Sequence, residues 1–165
     1  MSTADFATVT TPIGPFTTVV GADGAVLSAG WTADTTDLRN VIHTSLRPTE
    51  LRHRDELGAV TDAVTAYHDG EVHAVDDIPV VQRSGEFLEH AWEILRTIEP
   101  GRPITYSEFA ALAGRPDAPR GAAAACGRNA AALFVPCHRI VRIGGALGGF
   151  RWGLDVKRWL IAHEG

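Results

Sequence analysis

Short apolar runs separated by turn residues fill the first third of the chain and predict β-strands. Three such runs cover residues 6–11, 16–20 and 25–31, with turns at 12–15 and 22–24 between them. Apolar residues at helical spacing then predict a helix over 56–68, which ends at Asp69-Gly70. Residues 34–46 fit neither period, and residues 71–84 are predicted to be a strand and linker.

The second half of the chain has the spacing of helices. Gly85 or Ser84 is predicted to cap a helix that runs to about Ile98. Thr105 is predicted to cap a helix over 106–113, with Glu108 at the third position as in a capping box. After a turn at 114–119, a helix of small residues is expected over 121–128, and a last helix over 154–164. Helix, short turn, helix is the layout of a helix-turn-helix, although many other folds contain it.

Charge divides the chain in two. Residues 1–85 hold 5 basic and 12 acidic residues, and residues 86–165 hold 10 basic and 8 acidic ones. Within 102–158 there are 9 basic and 3 acidic residues, which points either to contact with phosphate or to an ordinary solvated face. The strand and linker predicted over 71–84 place the domain boundary there, with one domain over 1–84 and another over 85–165.

Other function classes find little support in the sequence. No apolar run is long enough to span a membrane, and the start of the chain lacks the features of a signal peptide. The two cysteines, Cys126 and Cys137, show no zinc-ligand spacing with the seven histidines. A reduced, cytoplasmic protein without a metal or cofactor is expected.

Candidate chemistry centres on Pro136-Cys137-His138-Arg139. The apolar residues 132–135 predict a β-like run that delivers a thiol to a turn, before a loop rich in glycine. Cysteine reacts as the thiolate, and a neighbouring histidine is a common way to form it. The alternative is a buried structural cysteine followed by a histidine that faces solvent.

The segment from Asn129 to Arg139 resembles the active-site signature of the O6-alkylguanine-DNA alkyltransferases. The loop 144–153 resembles the loop that follows that signature, and Lys157 with residues 160–165 resembles the family's last helix. Upstream, Tyr106, Ala110 and Arg120 fall at the family's spacings, and residues 11–14 resemble its opening hairpin. The match is strong over about 85–165 and faint over 1–84.

The resemblance implies a fold and an activity. The fold is an α/β N-terminal domain of ribonuclease-H-like shape, followed by an all-α C-terminal domain with a winged-helix-like helix-turn-helix. The activity is repair of O6-alkylguanine, with O4-alkylthymine as an additional substrate, in double-stranded DNA. The alkyl group passes to the cysteine and stays there, so that each molecule acts once. No cofactor or membrane is involved, and a monomer is expected, with cooperative binding along DNA as an alternative.

The resemblance also implies roles for individual residues. Cys137 is the nucleophile, His138 is linked to it through a water, and Glu164 orients the imidazole. Tyr106 pushes the 3′ phosphate and helps the base to leave, and Asn129 braces the turn before the cysteine. Arg120 fills the space of the flipped nucleotide, and its helix reads the minor groove, with contacts from Gly121, Ala122, Ala125 and Arg128. The pocket for the base is formed by Val135, Pro136, Ile140, Phe150, Arg151 and Trp152.

The chain departs from the family pattern at five positions, which are Pro119, Gly121, Ala130, Phe150 and Trp152. Glycine in the first turn of a helix weakens it, and the ring of Trp152 is expected to narrow the pocket against large alkyl groups. Two alternatives remain at this point. One is a non-catalytic protein that binds alkylated lesions, and the other is a cysteine hydrolase unrelated to DNA.

Overall fold

The computed structural model describes residues 2–165, which form two compact units. The first unit contains the chain up to Arg83 together with Ala130–Phe134. The second unit contains Ser84–Asn129 and Val135–Gly165. Within residues 2–165 no helix combines the length and the apolar character needed to cross a bilayer.

The first unit is built on a four-stranded sheet. Its strands, in the spatial order β3-β2-β1-β4, are β1 (Thr3–Thr11), β2 (Gly14–Val20), β3 (Val26–Gly30) and β4 (Glu50–His53). The first three are joined by hairpins and pair antiparallel, while β4 pairs parallel to β1. Strands β2 and β3 are buried almost throughout, and their mostly apolar residues enclose the buried Thr17, Thr18 and Ser28.

Two helices complete the first unit. Helix α1 (Thr35–Asn40) lies in the segment that fitted neither period, and the side chain of Asp34 caps it by accepting from the amide of Asp37. Helix α2 (Ala59–His68) confirms the predicted helix, three residues shorter at its start. The strand predicted within 71–84 is wrong: residues 72–78 form turns, and Val80 makes only an isolated bridge to Val26.

The segment Ala130–Phe134 leaves the second half of the chain and lies against β3. The amide of Ala29 donates to the carbonyl of Ala130 at 2.9 Å, and the amide of Ala132 donates back to Ala29 at 3.3 Å. The expected β-like run before the cysteine is therefore wrong. Only Ala131 makes a bridge, and Leu133 has a φ of +74°, which ends any extended course.

The second unit contains four helices and a small sheet. The helices are α3 (Glu86–Leu95), α4 (Tyr106–Leu112), α5 (Pro119–Gly127) and α6 (Leu154–Glu164). Two short strands, β5 (Ile104–Thr105) and β6 (Ile140–Val141), pair in parallel. The expectation of an all-α second domain is therefore wrong. The sequence did not reveal β5 and β6, because each is only two residues long and carries no alternating pattern. The capping box of Thr105 and Glu108 is confirmed.

Helices α3 and α5 pack closely in this unit. Trp92 of α3 is buried, and its indole Nε1 donates to the carbonyl of Ala125 at 2.9 Å. A methyl group at Gly121 would lie 3.1 Å from the ring of Phe87, so there is little room for a larger residue. The glycine in the first turn of α5 is thus explained by packing against α3, at some cost in helix propensity.

Candidate active site

Cys137 lies in a single 3₁₀ turn, Cys137–Arg139, between Pro136 and β6. Its amide donates to the carbonyl of Val135 at 2.8 Å, and the side chain of Asn129 donates to the same carbonyl at 2.8 Å. The residue is only 9% exposed. Burial raises the pKa of the thiol, while a hydrogen bond with the side chain of Asn129 and the positive charge of Lys157 oppose that rise. Asn129 therefore contacts the thiol as well as the turn before it.

His138 is fully buried, so the alternative of a histidine that faces solvent is wrong. Its Nε2 lies 2.8 Å from Oε2 of Glu164, whose side chain is 1% exposed. Its Nδ1 has no hydrogen-bond partner among residues 2–165. The expected pairing of the imidazole with Glu164 is therefore present in the structure.

The charges of this pair follow from its surroundings. Burial disfavours the ionised Glu164, but hydrogen bonds and charges from His138 and Arg139 outweigh it and lower its pKa to about 2. Burial lowers the pKa of His138, against the pull of the carboxylate. A neutral imidazole beside a carboxylate donates from Nε2, which leaves Nδ1 as an acceptor for a proton.

Arg139 holds Glu164 in a fork. Its Nε donates to Oε1 and its Nη2 to Oε2, both at 3.0 Å, and its Nη1 donates to the carbonyl of Ile98 at 2.7 Å. The guanidinium is always charged, so it keeps the carboxylate ionised even when the imidazole is neutral. Sequence reasoning placed Arg139 in the motif without a role. Its partner is 25 residues away, and no local signal connects the two.

Lys157 is a second buried cation that the sequence did not assign to the site. Its Nζ donates to the carbonyl of Ile140 at 2.8 Å and lies 3.5 Å from the carbonyl of Gly149. Burial lowers the pKa of Lys157, and a negative charge on Cys137 would raise it. The usable sequence signal was its position three residues before the buried Leu160, on the same face of α6. We call Cys137, His138, Arg139, Lys157 and Glu164 the buried centre.

Tyr106 begins α4 and is half-buried against the glycine loop. A methyl group at Gly148, where φ is +72°, would lie 2.9 Å from the tyrosine hydroxyl. Burial and the charges of Cys126 and Cys137 raise the pKa of Tyr106 to about 12. The hydroxyl is therefore protonated at neutral pH and is able to donate a hydrogen bond.

Helix α5 presents a different surface from the one expected. Ala122 and Ala125 are fully buried, so they cannot contact DNA as predicted, because both point into the packing between α5 and its neighbours. Gly121 is partly covered by Phe87. The exposed positions of α5 and its C-cap are Pro119, Arg120, Ala123, Gly127 and Arg128. Helical spacing predicts two faces, but the apolar and small residues of α5 did not reveal which face is outside.

The residues predicted to form a pocket differ in exposure. Val135, Pro136 and Ile140 are buried, so they pack beneath the site and contribute little exposed surface to a pocket. Phe150 and Trp152 are partly exposed, and the guanidinium of the exposed Arg151 lies 6.0 Å from the Trp152 ring centroid. The charge of Arg151 reaches the thiol, where it opposes the rise in pKa caused by burial. Among residues 2–165 no group of three or more histidine, cysteine or acidic side chains is arranged to hold a metal ion.

Comparisons with known proteins agree with one another. A family model described as the DNA-binding domain of 6-O-methylguanine DNA methyltransferase matches residues 86–165. The methylated-DNA–protein-cysteine methyltransferase of Shigella flexneri is 29% identical over 159 residues, covering 95% of this chain and 93% of its own. The human protein of that name is 41% identical over 87 residues, and this alignment covers 53% of this chain and 42% of the human protein. The crystal structure of Mycobacterium tuberculosis OGT in complex with DNA superposes with a TM-score of 0.80 at 28% identity, covering 97% of this chain and 92% of that one.

Proposed function

We propose single-turnover repair of alkylated DNA for this chain, which belongs to the O6-alkylguanine-DNA alkyltransferase family. The family resemblance of the Pro136–Arg139 motif is thereby confirmed. The activity is that of a methylated-DNA–protein-cysteine methyltransferase, and Cys137 is the acceptor. The observation that carries this assignment is the buried thiol of Cys137, followed directly by a histidine that is bonded to the ionised Glu164.

The chemical step needs no cofactor. Nδ1 of His138 takes the thiol proton of Cys137, through a bridging water as in the family, and Glu164 and Arg139 hold the imidazole in the tautomer that can do so. The sulfur attacks the alkyl carbon, an S–C bond forms and the bond from that carbon to O6 breaks. The proton returns to the leaving guanine, so atoms and charge balance. The thioether has no hydrolytic route, and the reaction therefore stops after one turnover.

Lys157 and Asn129 lower the cost of the thiolate during the attack. Burial keeps the resting thiol protonated, because it raises the pKa of Cys137. The positive charge of Lys157 and the hydrogen bond from Asn129 favour the negative sulfur once the proton leaves. A thiol that stays protonated at rest is protected from other electrophiles, because the thiolate is the reactive form.

Access to the reacting carbon requires that the nucleotide leave the base stack. Arg120 is exposed at the start of α5 and fills the vacated space, while Ala123, Gly127 and Arg128 face the minor groove. Tyr106 displaces the 3′ phosphate and, because its pKa of about 12 keeps it protonated, donates to the leaving base. Phe150, Arg151 and Trp152 form the open side of the base pocket, over Val135, Pro136 and Ile140.

Further features of the proposal follow from the family. They comprise a ribonuclease-H-like first domain over 1–84, a winged-helix-like second domain over 85–165, and action as a cytoplasmic monomer on duplex DNA that contains O6-alkylguanine. The parallel pairing of β5 and β6, which contact α4, supports a wing next to the helix pair. The two free thiols of Cys126 and Cys137 are compatible with a reducing compartment.

The test compares the wild-type chain with Cys137→Ala on a duplex that carries one O6-methylguanine. The wild-type chain is expected to restore one guanine per molecule and then stop. The variant is expected to bind the lesion with similar affinity and to restore none. Cys126→Ala is the matched control, and it should repair normally. Repair by Cys137→Ala would overturn the assignment, and tight binding without repair by the wild-type chain would favour the lesion-binding alternative.

A further inference from the structure

The chain leaves β6 in a closed turn that protrudes from the second unit. The amide of Arg142 donates to the carbonyl of Ala146 at 2.8 Å, and the amide of Gly145 donates to the carbonyl of Arg142 at 3.0 Å. Gly144 and Gly145 have φ values of +86° and +84°, which only glycine adopts readily. A methyl group on either glycine would meet no atom within 4 Å. The turn 142–146 is therefore ordered and surrounded by open space.

An apolar side chain stands at the tip of this turn. Ile143 is 77% exposed, the highest value among the exposed large hydrophobic side chains, which also include Leu112 and Leu154. Arg142 beside it is exposed as well. Its guanidinium makes no ion pair or hydrogen bond within the described part of the chain. An ordered turn that offers one cation and one isoleucine has no evident role in the stability of the unit.

The small parallel sheet fixes where this turn lies. Thr105 of β5 is paired with Val141 of β6, so the residues that follow them, Tyr106 and Arg142, leave the sheet side by side. Electrostatics agree with this placement, because burial raises the pKa of Tyr106 and the charge of Arg142 acts against that rise. Arg142 is thus the cation next to the residue proposed to displace a phosphate.

The charge around the turn favours an anionic partner. From Ile140 to Leu154 the chain has Arg142 and Arg151 and no acidic residue. A duplex carries one phosphate charge for roughly every 1.7 Å of its helix axis, so a cation beside Tyr106 lies close to phosphates of the strand that Tyr106 contacts. The C–H edge of deoxyribose is apolar, so an exposed isoleucine that packs on it removes apolar surface from water.

We propose that the turn 142–146 is a second contact with duplex DNA, separate from helix α5. Arg142 binds a backbone phosphate beside the flipped nucleotide, and Ile143 packs on the neighbouring deoxyribose. This inference rests on the proposed repair function, since it uses the same bound duplex. It assigns binding to the turn and no part in the alkyl transfer itself.

The test measures binding and chemistry separately. Binding of a duplex with one O6-methylguanine is measured with variants that also carry Cys137→Ala. The salt concentration is varied from about 50 to about 200 mM, because the salt dependence of the affinity reports the number of phosphate contacts. Arg142→Gln and Ile143→Ser are compared with Arg158→Gln, which removes one positive charge from an exposed arginine paired with Asp155. Alkylation of Cys137 by free O6-methylguanine is measured with the cysteine intact.

Arg142→Gln is expected to weaken duplex binding about fivefold and to reduce the salt slope by about one unit. Ile143→Ser is expected to weaken binding about threefold with an unchanged slope, since no charge is lost. Arg158→Gln should change neither. All three should react normally with the free base.

Affinities and slopes equal to those of the parent would overturn the second contact while leaving repair in place. Equal losses with the duplex and with the free base would also overturn it, because they would assign the turn to the pocket. Failure of the parent chain to alkylate Cys137 with either substrate would instead reject the repair function.

Discussion

Two regions of the second unit, the buried centre and the exposed arginines, use charge in opposite ways. In the buried centre, His138, Arg139 and Lys157 are each at most 3% exposed, and each makes at least one hydrogen bond to Glu164 or to a main-chain carbonyl. Arg120, Arg128 and Arg142 are exposed and form no ion pair among residues 2–165. Within the buried centre the charges are balanced by protein groups, whereas no acidic group of residues 2–165 pairs with the three exposed arginines.

This difference predicts that the buried centre carries the alkyl transfer and that the exposed arginines carry the binding of DNA. A buried charge is costly unless it is paired, so the geometry of the buried centre is fixed before any substrate arrives. Exposed charges contribute little to stability, so the three exposed arginines are expected to act in duplex binding rather than in folding. Substitutions in the first region should therefore affect folding and transfer to every substrate. Substitutions in the second should affect only transfer from DNA.

The largest expected effect is that of Glu164→Gln. The amide leaves Arg139 as an unbalanced buried cation and no longer favours the imidazole tautomer that accepts at Nδ1. Unfolding free energy is expected to fall by roughly 3 kcal/mol, and transfer from both duplex and free base by on the order of 10³-fold. Denaturant titration and single-turnover kinetics measure these two quantities.

Asp155→Asn is the matched control, because Asp155 is a fully exposed acid on the same helix and is paired only with Arg158. Asp155→Asn should lower the unfolding free energy by less than about 1 kcal/mol. If the two variants are equally stable, the buried centre is not the charge-balanced cluster described here.

The pH dependence of stability gives a second view of the same carboxylate. The folded pKa of about 2 lies below the ordinary value of 4.5. The contribution of the Glu164 carboxylate to the unfolding free energy is therefore complete above about pH 5. That contribution, roughly 3 kcal/mol, is lost as the pH falls toward 2. The difference in unfolding free energy between wild type and Glu164→Gln should shrink over that window. A difference that stays constant from pH 6 to pH 2 would contradict the depressed pKa.

The next expected effect concerns nucleotide flipping. Arg120→Ala and Tyr106→Ala should slow transfer from duplex DNA by roughly 10²-fold, because the nucleotide is no longer held outside the stack. Reaction with free O6-methylguanine should change much less, and Arg158→Ala should leave both rates unchanged. Equal losses on the two substrates would remove the role of these residues in flipping.

Helix α5 allows a comparison of adjacent alanines. Ala122→Leu overfills a fully buried position and should cost about 1–3 kcal/mol of unfolding free energy, with the affinity of the folded protein for DNA unchanged. Ala123→Leu adds bulk to an exposed position, and it should weaken duplex binding about tenfold with stability unchanged within about 0.5 kcal/mol. The opposite pattern would mean that the buried face of α5 is the one that meets DNA.

The smallest expected effect is on substrate range. Trp152→Gly removes a partly exposed ring from the open side of the pocket and should raise reactivity toward free O6-benzylguanine by about threefold relative to O6-methylguanine. Competition between the two bases in one sample measures that ratio directly. An unchanged ratio would place the limit on large alkyl groups elsewhere in the pocket.

Local signals in the sequence predicted local structure well. The capping box of Thr105 and Glu108 and the bounds of α6 are confirmed, because caps and helical spacing act within a few residues. Strand β4 was missed, since Glu50–His53 is short and polar and becomes a strand only by pairing with β1, 47 residues away.

Elements of the site that depend on distant partners were harder to predict. The motif around Cys137 and the pairing of His138 with Glu164 followed from the family resemblance. The roles of Arg139 and Lys157 did not, because a buried cation is explained only by the groups that balance it, here 25 and 17 residues away. The buried faces of Ala122 and Ala125 were missed because alanine fits either side of a helix.

The central claim is that the buried thiol of Cys137, and no other group, accepts the alkyl carbon from DNA. Peptide mass measurement after mixing the chain with a duplex that carries one O6-methylguanine tests it most directly. The account predicts one added methylene on the peptide with Cys137, one per molecule, and none on the peptide with Cys126, whose thiol has a pKa raised by burial and no histidine next to it in the chain. An unmodified Cys137 peptide alongside restored guanine, or a methylated Cys126 peptide, would contradict it.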